Sequence, residues 1–300
     1  MFSVKGFLQR NGHLKYVAPV MCLMMVLSII PTIFLIVASF TNYQLGWDFS
    51  RAKFVGIDNY IRLFTGADTA FWHSVLISVA FMVVATAIEL ALGFWIATLL
   101  NNSESKLKPL AVGIMILPLA MTPSIAAQVW KLIFNSEYGL LNYILQNTFG
   151  FSVTWLGQDM AFWSILLVDL WQFTPFVALI LYAGLRSMPA EPYEAAAIDG
   201  ATSWQMFRFL TIPMLSKLIY LALLLRAVDA LKLFDTAFVL TQGGPGNATE
   251  FLSLHVFRLA NAQNGLVGRA SAVAMVLLVI VMVVSRFLIK RQRRAAEVML

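Results

Sequence analysis

Arg226, Asp229, Lys232 and Asp235 alternate in sign at every third position of a stretch that is otherwise apolar. Glu89 stands inside a second such stretch, and Trp171 and Gln172 lie beside Pro175 in a third. An ionisable side chain at the centre of a membrane helix costs about 2.5–3.5 kcal/mol, so charges persist there only when paired, wetted or used. Steps of three residues turn about 300° around a helix, so neighbours in the 226–235 series are within pairing reach while the line drifts half a turn along its length. Two readings stay open for these residues: mutual pairing against a wet cavity, or direct contact with a polar solute. Glu89 is expected to pair with a cation such as one of that series, with a solute or proton role as the second reading. An aromatic face beside an amide, as at Trp171 and Gln172, suits a ring that carries hydroxyls; plain packing is the alternative.

Catalysis is not legible in the chain. Nothing reads G-x-x-x-x-G-K-[ST], H-E-x-x-H or G-x-S-x-G, and no nucleophile and base stand at a recognisable spacing. The single cysteine, Cys22, forms no internal disulfide, and metal-ligand spacings of Cys and His are missing. Cys22 is expected to be a small packing residue, and His73 to pack at a membrane interface. The sequence calls for no metal and no cofactor, and the chain is expected not to be an enzyme.

These residues sit in elements that only a bilayer explains. The chain has 300 residues, of which 60% are hydrophobic and 12% charged, about half the charge of an ordinary soluble domain. Six apolar stretches are long enough to cross the hydrocarbon core, at about 16–40, 72–100, 109–133, 161–185, 209–240 and 268–289. Alternating strand patterns are absent, so the fold class is all-α and polytopic, with six transmembrane helices. The first stretch is too long for the core of a cleaved leader and is read as a retained anchor. The net charge of +6 comes from basic residues at the ends of apolar runs, which points to membrane orientation rather than nucleic acid. With the N-terminus inside, 11 Lys and Arg fall in inner segments (Lys5, Arg10, Lys15, Lys106, Lys108, Arg186, Arg208, Lys290, Arg291, Arg293 and Arg294). Five fall outside: Arg51, Lys53, Arg62, Arg258 and Arg269. Both termini are therefore expected in the cytoplasm. In the third stretch, Pro118 and Pro123 with Thr122 and Ser124 predict a broken helix, tolerated only against protein or a water-filled cavity; a simple packing kink is the alternative.

The loop between the fourth and fifth stretches is expected on the cytoplasmic side. It predicts two short helices joined at Gly200, which is free to take φ > 0 and turn the chain. The first, around Glu194, Ala195, Ala196 and Asp199, is rich in alanine, whose small side chain permits close approach. Ser203 is expected to cap the second, with Pro213 in its later turns producing a slight kink. Such an alanine face is either a docking surface or an ordinary interface helix.

The spacing within this loop resembles a known pattern. Glu194-Ala195-Ala196, three intervening residues, Gly200, eleven more and then Ile212-Pro213 is similar to the EAA loop of binding-protein-dependent ABC importer permeases, where nine to eleven residues follow the glycine. The departure is small: Thr211-Ile212-Pro213 stands where many relatives have Leu-Pro. The segments 118–124, 130–134, 138–142 and 171–176 are similar to the third- and fourth-helix regions of the carbohydrate branch. Arg226–Asp235 and Val239–Gly246 resemble the branch that includes the larger maltose-type permease and its glycerol-phosphate and trehalose relatives.

The resemblance implies a type I ABC importer permease fold. It implies residues 1–70 as an N-terminal segment, first helix and outer loop; 71–290 as a core of five helices with the coupling loop at 186–208; and 291–300 as a basic tail. It implies a heterodimer with a second homologous permease subunit, a dimer of ABC ATPase subunits docked at Glu194, Ala195, Ala196, Asp199, Gly200 and Pro213, and a periplasmic solute-binding protein, all at the bacterial inner membrane. ATP hydrolysis would belong to another chain. Trp171, Gln172, Thr122, Arg226, Asp229, Lys232 and Glu89 are the expected solute pathway, with the broken third helix. The function implied is import of a sugar or sugar derivative. Alternatives are an anionic polyol or sugar ester such as a glycerol phosphate or sulfonated sugar, or an ion-coupled secondary transporter. The last would usually show internal repeats and more spans.

Overall fold

A computed structural model describes residues 14–261 and 265–297. Lys5, Arg10 and Leu300 lie outside the described residues. The chain forms two compact units. One runs to Ala67 and includes Val256–Val276; the other comprises Asp68–His255 and the segment from Leu277.

In the first unit, α1 (Leu14–Ser39) is apolar all round, as expected of a span in lipid. Its last carbonyls lack intrahelical partners. Asn59 on α2 (Asp58–Phe64) partners the last of them, donating from Nδ2 to the carbonyl of Ser39 and to that of Thr41 just beyond the helix, each at 2.9 Å. Cys22 is exposed on α1, so it does not pack within the chain as the sequence reading expected.

The second unit is built on α3 (Thr69–Asn102), which packs along α7 (Ala161–Arg186) and α10 (Ile212–Leu231). Close approach requires glycine at one crossing: a Cβ on Gly93 would stand 2.8 Å from Val177 Cγ1 and 3.1 Å from the Ala178 nitrogen. Phe81, Ile165, Val168 and Phe251 fill the core.

Among the described residues, five helices are long and apolar enough to cross a membrane, and a sixth crossing is available if a bent pair is one span. That pair is α4 (Lys108–Ala120) and α5 (Pro123–Ile133), which meet at 98°. Pro123 disfavours helical geometry at the residue before it, and Thr122 is extended at φ −68°, ψ 146°. Thr122 then caps α5 through Oγ1, which accepts from the Ile125 nitrogen.

The remaining elements are a 3-10 turn at Phe49–Arg51, α6 (Leu140–Phe149), α8 (Glu191–Ile198), α9 (Ser203–Met206), a π-helical turn at Phe207–Thr211, α11 (Asp235–Leu240), α12 (Leu252–Asn261) and α13 (Val267–Glu297). The fifth apolar stretch is shorter than its sequence suggested. Its helix stops at Leu231, and a turn through Lys232–Phe234 separates it from α11. The expectation of one continuous helix from Arg226 to Asp235 is therefore corrected.

Candidate functional site: a coupling loop and an intramembrane charge cluster

The loop between α7 and α10 is organised by its own backbone. Gly200 takes φ +77°. Its nitrogen donates to the Ala197 carbonyl at 3.1 Å and the Ala201 nitrogen to that of Ala196 at 2.9 Å, the double bond of a Schellman ending. No atom lies within 4 Å of a Cβ built on Gly200, so the glycine serves conformation rather than space. Thr202, not Ser203, caps α9: it forms a reciprocal capping box with Gln205. Ser203 lies one position inside the helix, where its hydroxyl cannot reach back to the free amides.

Pro213 lies, as expected, in a later turn of the helix that runs from Ser203 to Leu231. It falls in the first turn of α10, immediately after the π-helical turn in which the Ile212 nitrogen reaches the Phe207 carbonyl. A proline there forgoes a bond that the widened turn has already displaced, so no later kink is needed. Tyr193 joins the two arms of the loop, its hydroxyl 3.0 Å from Thr211 Oγ1. Glu194, Ala195 and Asp199 are exposed, and Ala196 is half-buried. Ile198 is 87% exposed, with Phe209 and Trp204 also bare. A hollow of about 360 Å³ runs past Ala196, Gly200, Ala201 and Phe209. Three large apolar side chains on a loop held by its own hydrogen bonds, one of them lining a mainly apolar hollow, form a surface suited to a protein partner.

The charged residues of the spans divide into two sets. Arg226 is 2% exposed. Its Nε donates to Glu89 Oε2 at 2.8 Å, and its Nη2 to Glu89 Oε1 and Asp169 Oδ2, each at 2.7 Å. The guanidinium also lies 4.0 Å from the centre of the Phe173 ring. One cation thus joins α3, α7 and α10. A bidentate fork satisfies buried carboxylates far better than a point charge would. Asp169 was not singled out from the sequence, although it lies four residues before Phe173 on one helix face.

Asp229 and Lys232 form the second set. They lie 3.7 Å apart and are more than half exposed. With Arg226, Asp169, Phe173, Phe234, Asp235 and Pro123 they border a cavity of about 340 Å³ beside the break of the third span. Ser124 at the start of α5 donates to Asp235 Oδ1 at 3.2 Å.

Trp171 and Gln172 are elsewhere. Residue 171 lies about 200° around the helix from position 169, and its ring meets Trp130 edge-on at 5.6 Å. Gln172 is buried, and its Nε2 donates 2.9 Å to the Met121 carbonyl at the break. The expectation that both line one cavity with Arg226 and Asp229 is corrected: α7 presents Asp169 and Phe173 there instead. Thr122 does not border that cavity either; it is spent on capping α5.

A second cluster, outside the spans, escaped the sequence reading. His255 on α12 is held by Glu250 Oε1 at 2.7 Å from Nδ1 and by Asp68 Oδ2 at 3.0 Å from Nε2. Burial works against the imidazolium, yet the two carboxylates more than compensate and push its pKa up to about 9. Burial likewise works against the Asp68 carboxylate. His255 and the amides of Ala70 and Phe71 outweigh it, leaving Asp68 below the usual range. His73, expected only to pack, has Nε2 2.9 Å from the Asn247 carbonyl. Asp68 and His255 stand 187 positions apart, and His73 and Asn247 stand 174 apart, so neither contact carries a local signal.

The profile of a family described as "Binding-protein-dependent transport system inner membrane component" matches residues 89–294. The chain belongs to that family. The matched region of this inner-membrane component opens at Glu89 and contains the coupling loop, the broken third span and every charged residue of the 226–235 series. Among its relatives is the trehalose/maltose transport system permease protein MalF of Thermococcus litoralis, 38% identical over 80% of this chain and 81% of that one. The sulfoquinovosyl glycerol transport system permease protein SmoG of Agrobacterium fabrum is 32% identical over 89% and 86%. Among solved structures, a chain of a bacterial ABC transporter involved in the import of the acidic polysaccharide alginate superposes with a TM-score of 0.81, covering 97% of this chain and 98% of that one at 20% identity. The fold is that of a type I ABC importer permease.

Proposed function

We propose that this permease carries a sugar or sugar derivative across the inner membrane, delivered by a periplasmic binding protein and driven by ATP hydrolysis on separate subunits. The observation that carries the reading is the 38% identity to a trehalose/maltose permease over four-fifths of the chain. The exposed loop from Glu191 to Thr211 supports docking of an ATPase subunit through Glu194, Ala195, Ala196, Asp199 and Gly200, with Pro213 setting the root of the following span. The polar cavity bordered by Arg226, Asp229 and Lys232 supports a solute path between this chain and a second, homologous permease; Glu89 acts behind it through Arg226. Both termini are cytoplasmic in this arrangement, and residues 71–290 form the translocating core. The 32% identity to a sulfoquinovosyl glycerol permease supports a second reading, an anionic sugar derivative.

The test is co-expression with the neighbouring genes, reconstitution in proteoliposomes and measurement of ATP-dependent uptake of labelled maltose, trehalose and sulfonated sugars. Uptake that needs the binding protein and ATP is expected. ATP-independent uptake that follows an ion gradient would overturn the proposal.

A further inference from the structure

The cavity beside the break of the third span discriminates by charge. Its volume, about 340 Å³, falls within the range of small-molecule sites, about 300–1,000 Å³. Three exposed charged residues border it, Asp229 and Asp235 against Lys232, and the buried Asp169 and Arg226 line it as well. Neither cation is uncommitted. Arg226 is forked onto Glu89 and bonded to Asp169, and Lys232 faces Asp229 at 3.7 Å. Asp235 is left with a hydroxyl, Ser124, as its polar partner. The exposed wall therefore sets two carboxylates against one ammonium and is short of positive charge by one.

A carboxylate or sulfonate entering this space finds no cation to neutralise it. One unbalanced unit charge about 6 Å away, at an effective dielectric of about 20, lowers its occupancy by about a hundredfold. A neutral polyol meets the opposite situation. Its hydroxyls both donate and accept, so they match carboxylates and ammonium together. Two aromatic rings, Phe173 and Phe234, border the same space and suit the C–H faces of a sugar ring.

We infer that this cavity selects a neutral polyhydroxylated solute over an anionic one, and that the exposed residues Asp229, Lys232 and Asp235 set that preference. The inference rests on the proposed reading of the chain as a sugar permease and decides between its two solute classes. The buried residues Arg226, Glu89 and Asp169 hold the helices and leave the selection to the exposed three.

The experiment uses the complete importer in proteoliposomes. Initial rates of ATP-driven uptake are compared for maltose and for maltose oxidised at one primary alcohol to the monocarboxylate. The binding protein is the same throughout, so a change in the ratio between variants reports on the permease. The native chain is expected to favour maltose by at least tenfold. The Asp229→Asn/Asp235→Asn pair removes two negative charges, and the ratio should fall about tenfold or more. Lys232→Gln removes a positive charge and should raise it. Opposite movements guard against a variant that merely assembles poorly, since misassembly moves both rates together. Equal uptake of the two probes by the native chain, or ratios unmoved in both variants, would overturn the selection while leaving a sugar importer. ATP-driven uptake of neither probe would sink the sugar reading, and the inference with it.

Discussion

Arg226 and His255 occupy matching positions in two different solvents. Each is one cation between two carboxylates, and each joins segments far apart in sequence: Glu89 and Asp169 around Arg226, Asp68 and Glu250 around His255. Arg226 lies within a span, whereas His255 lies on a short helix outside the candidate spans. A guanidinium keeps its charge at any physiological pH, but an imidazole carries charge only below its pKa. The cluster within the spans is thus a permanent lock, and the cluster beyond them a conditional one. The comparison shows where the chain places a titratable fastening: outside the candidate spans, where Asp68 keeps part of its surface exposed although Glu250 is buried.

Breaking the permanent lock should have the largest effect. Arg226→Met leaves two buried carboxylates without their cation, a loss of about 3–5 kcal/mol. The expected outcome is a chain that melts far earlier in a detergent thermal-shift assay and accumulates poorly. The triple change Arg226→Met/Glu89→Gln/Asp169→Asn should recover most of that loss. A single variant as stable as the native chain would show that the three spans need no such fastening.

Next comes the coupling loop, which holds its shape with no ion pair among the described residues. Gly200→Val forces a β-branched residue to φ +77°, about 1–2 kcal/mol or more of backbone strain confined to the loop. Normal amounts of membrane-inserted chain are expected, with ATP hydrolysis uncoupled from uptake and transport reduced more than tenfold. Native uptake rates would remove the loop from the coupling path.

The conditional lock is expected to respond to pH in a defined direction. His255 has its pKa raised from 6.5 to about 9, so its contribution is complete below about 6.5 and fades as pH rises through 9. Asp68 has its pKa lowered, so its contribution is present above the ordinary carboxylate range and fades as pH falls through the lowered value. The melting temperature should therefore decline between pH 6.5 and 9, and His255→Gln should flatten that decline. An unchanged slope in the variant would mean that the cluster does not titrate as a unit.

The smallest effect belongs to Gln172→Leu. It removes one neutral hydrogen bond to Met121, worth about 1 kcal/mol. A rise in KM for solute with unchanged stability would instead return Gln172 to the solute path.

Much of this arrangement was legible in the chain. The spans followed from hydropathy, the break from Pro123, and the loop turn from Gly200, because each depends on a local rule. What escaped depends on rotation and distance. Trp171 and Asp169 are two positions apart, and only helix phase decides which one faces the cavity. Lys232–Phe234 is no worse a helix former than its surroundings, so the end of α10 at Leu231 is set by tertiary packing, with Leu231 and Leu233 both buried. Asn142 organises the segment before α7 by binding Val153 and Trp155 together; nothing in its own neighbourhood announces that partner.

The π-helical turn at Phe207–Thr211 has an evolutionary consequence. Inserting one residue into an ordinary helix rotates everything beyond it by about 100°, which would swing Arg226 away from Glu89. A widened turn stores the extra residue as a local bulge and leaves the downstream phase intact. It lies between Gly200 and Ile212, where the permease pattern allows nine to eleven residues. The loop around Gly200 is thereby free to drift in length without disturbing the register of charges on the following span.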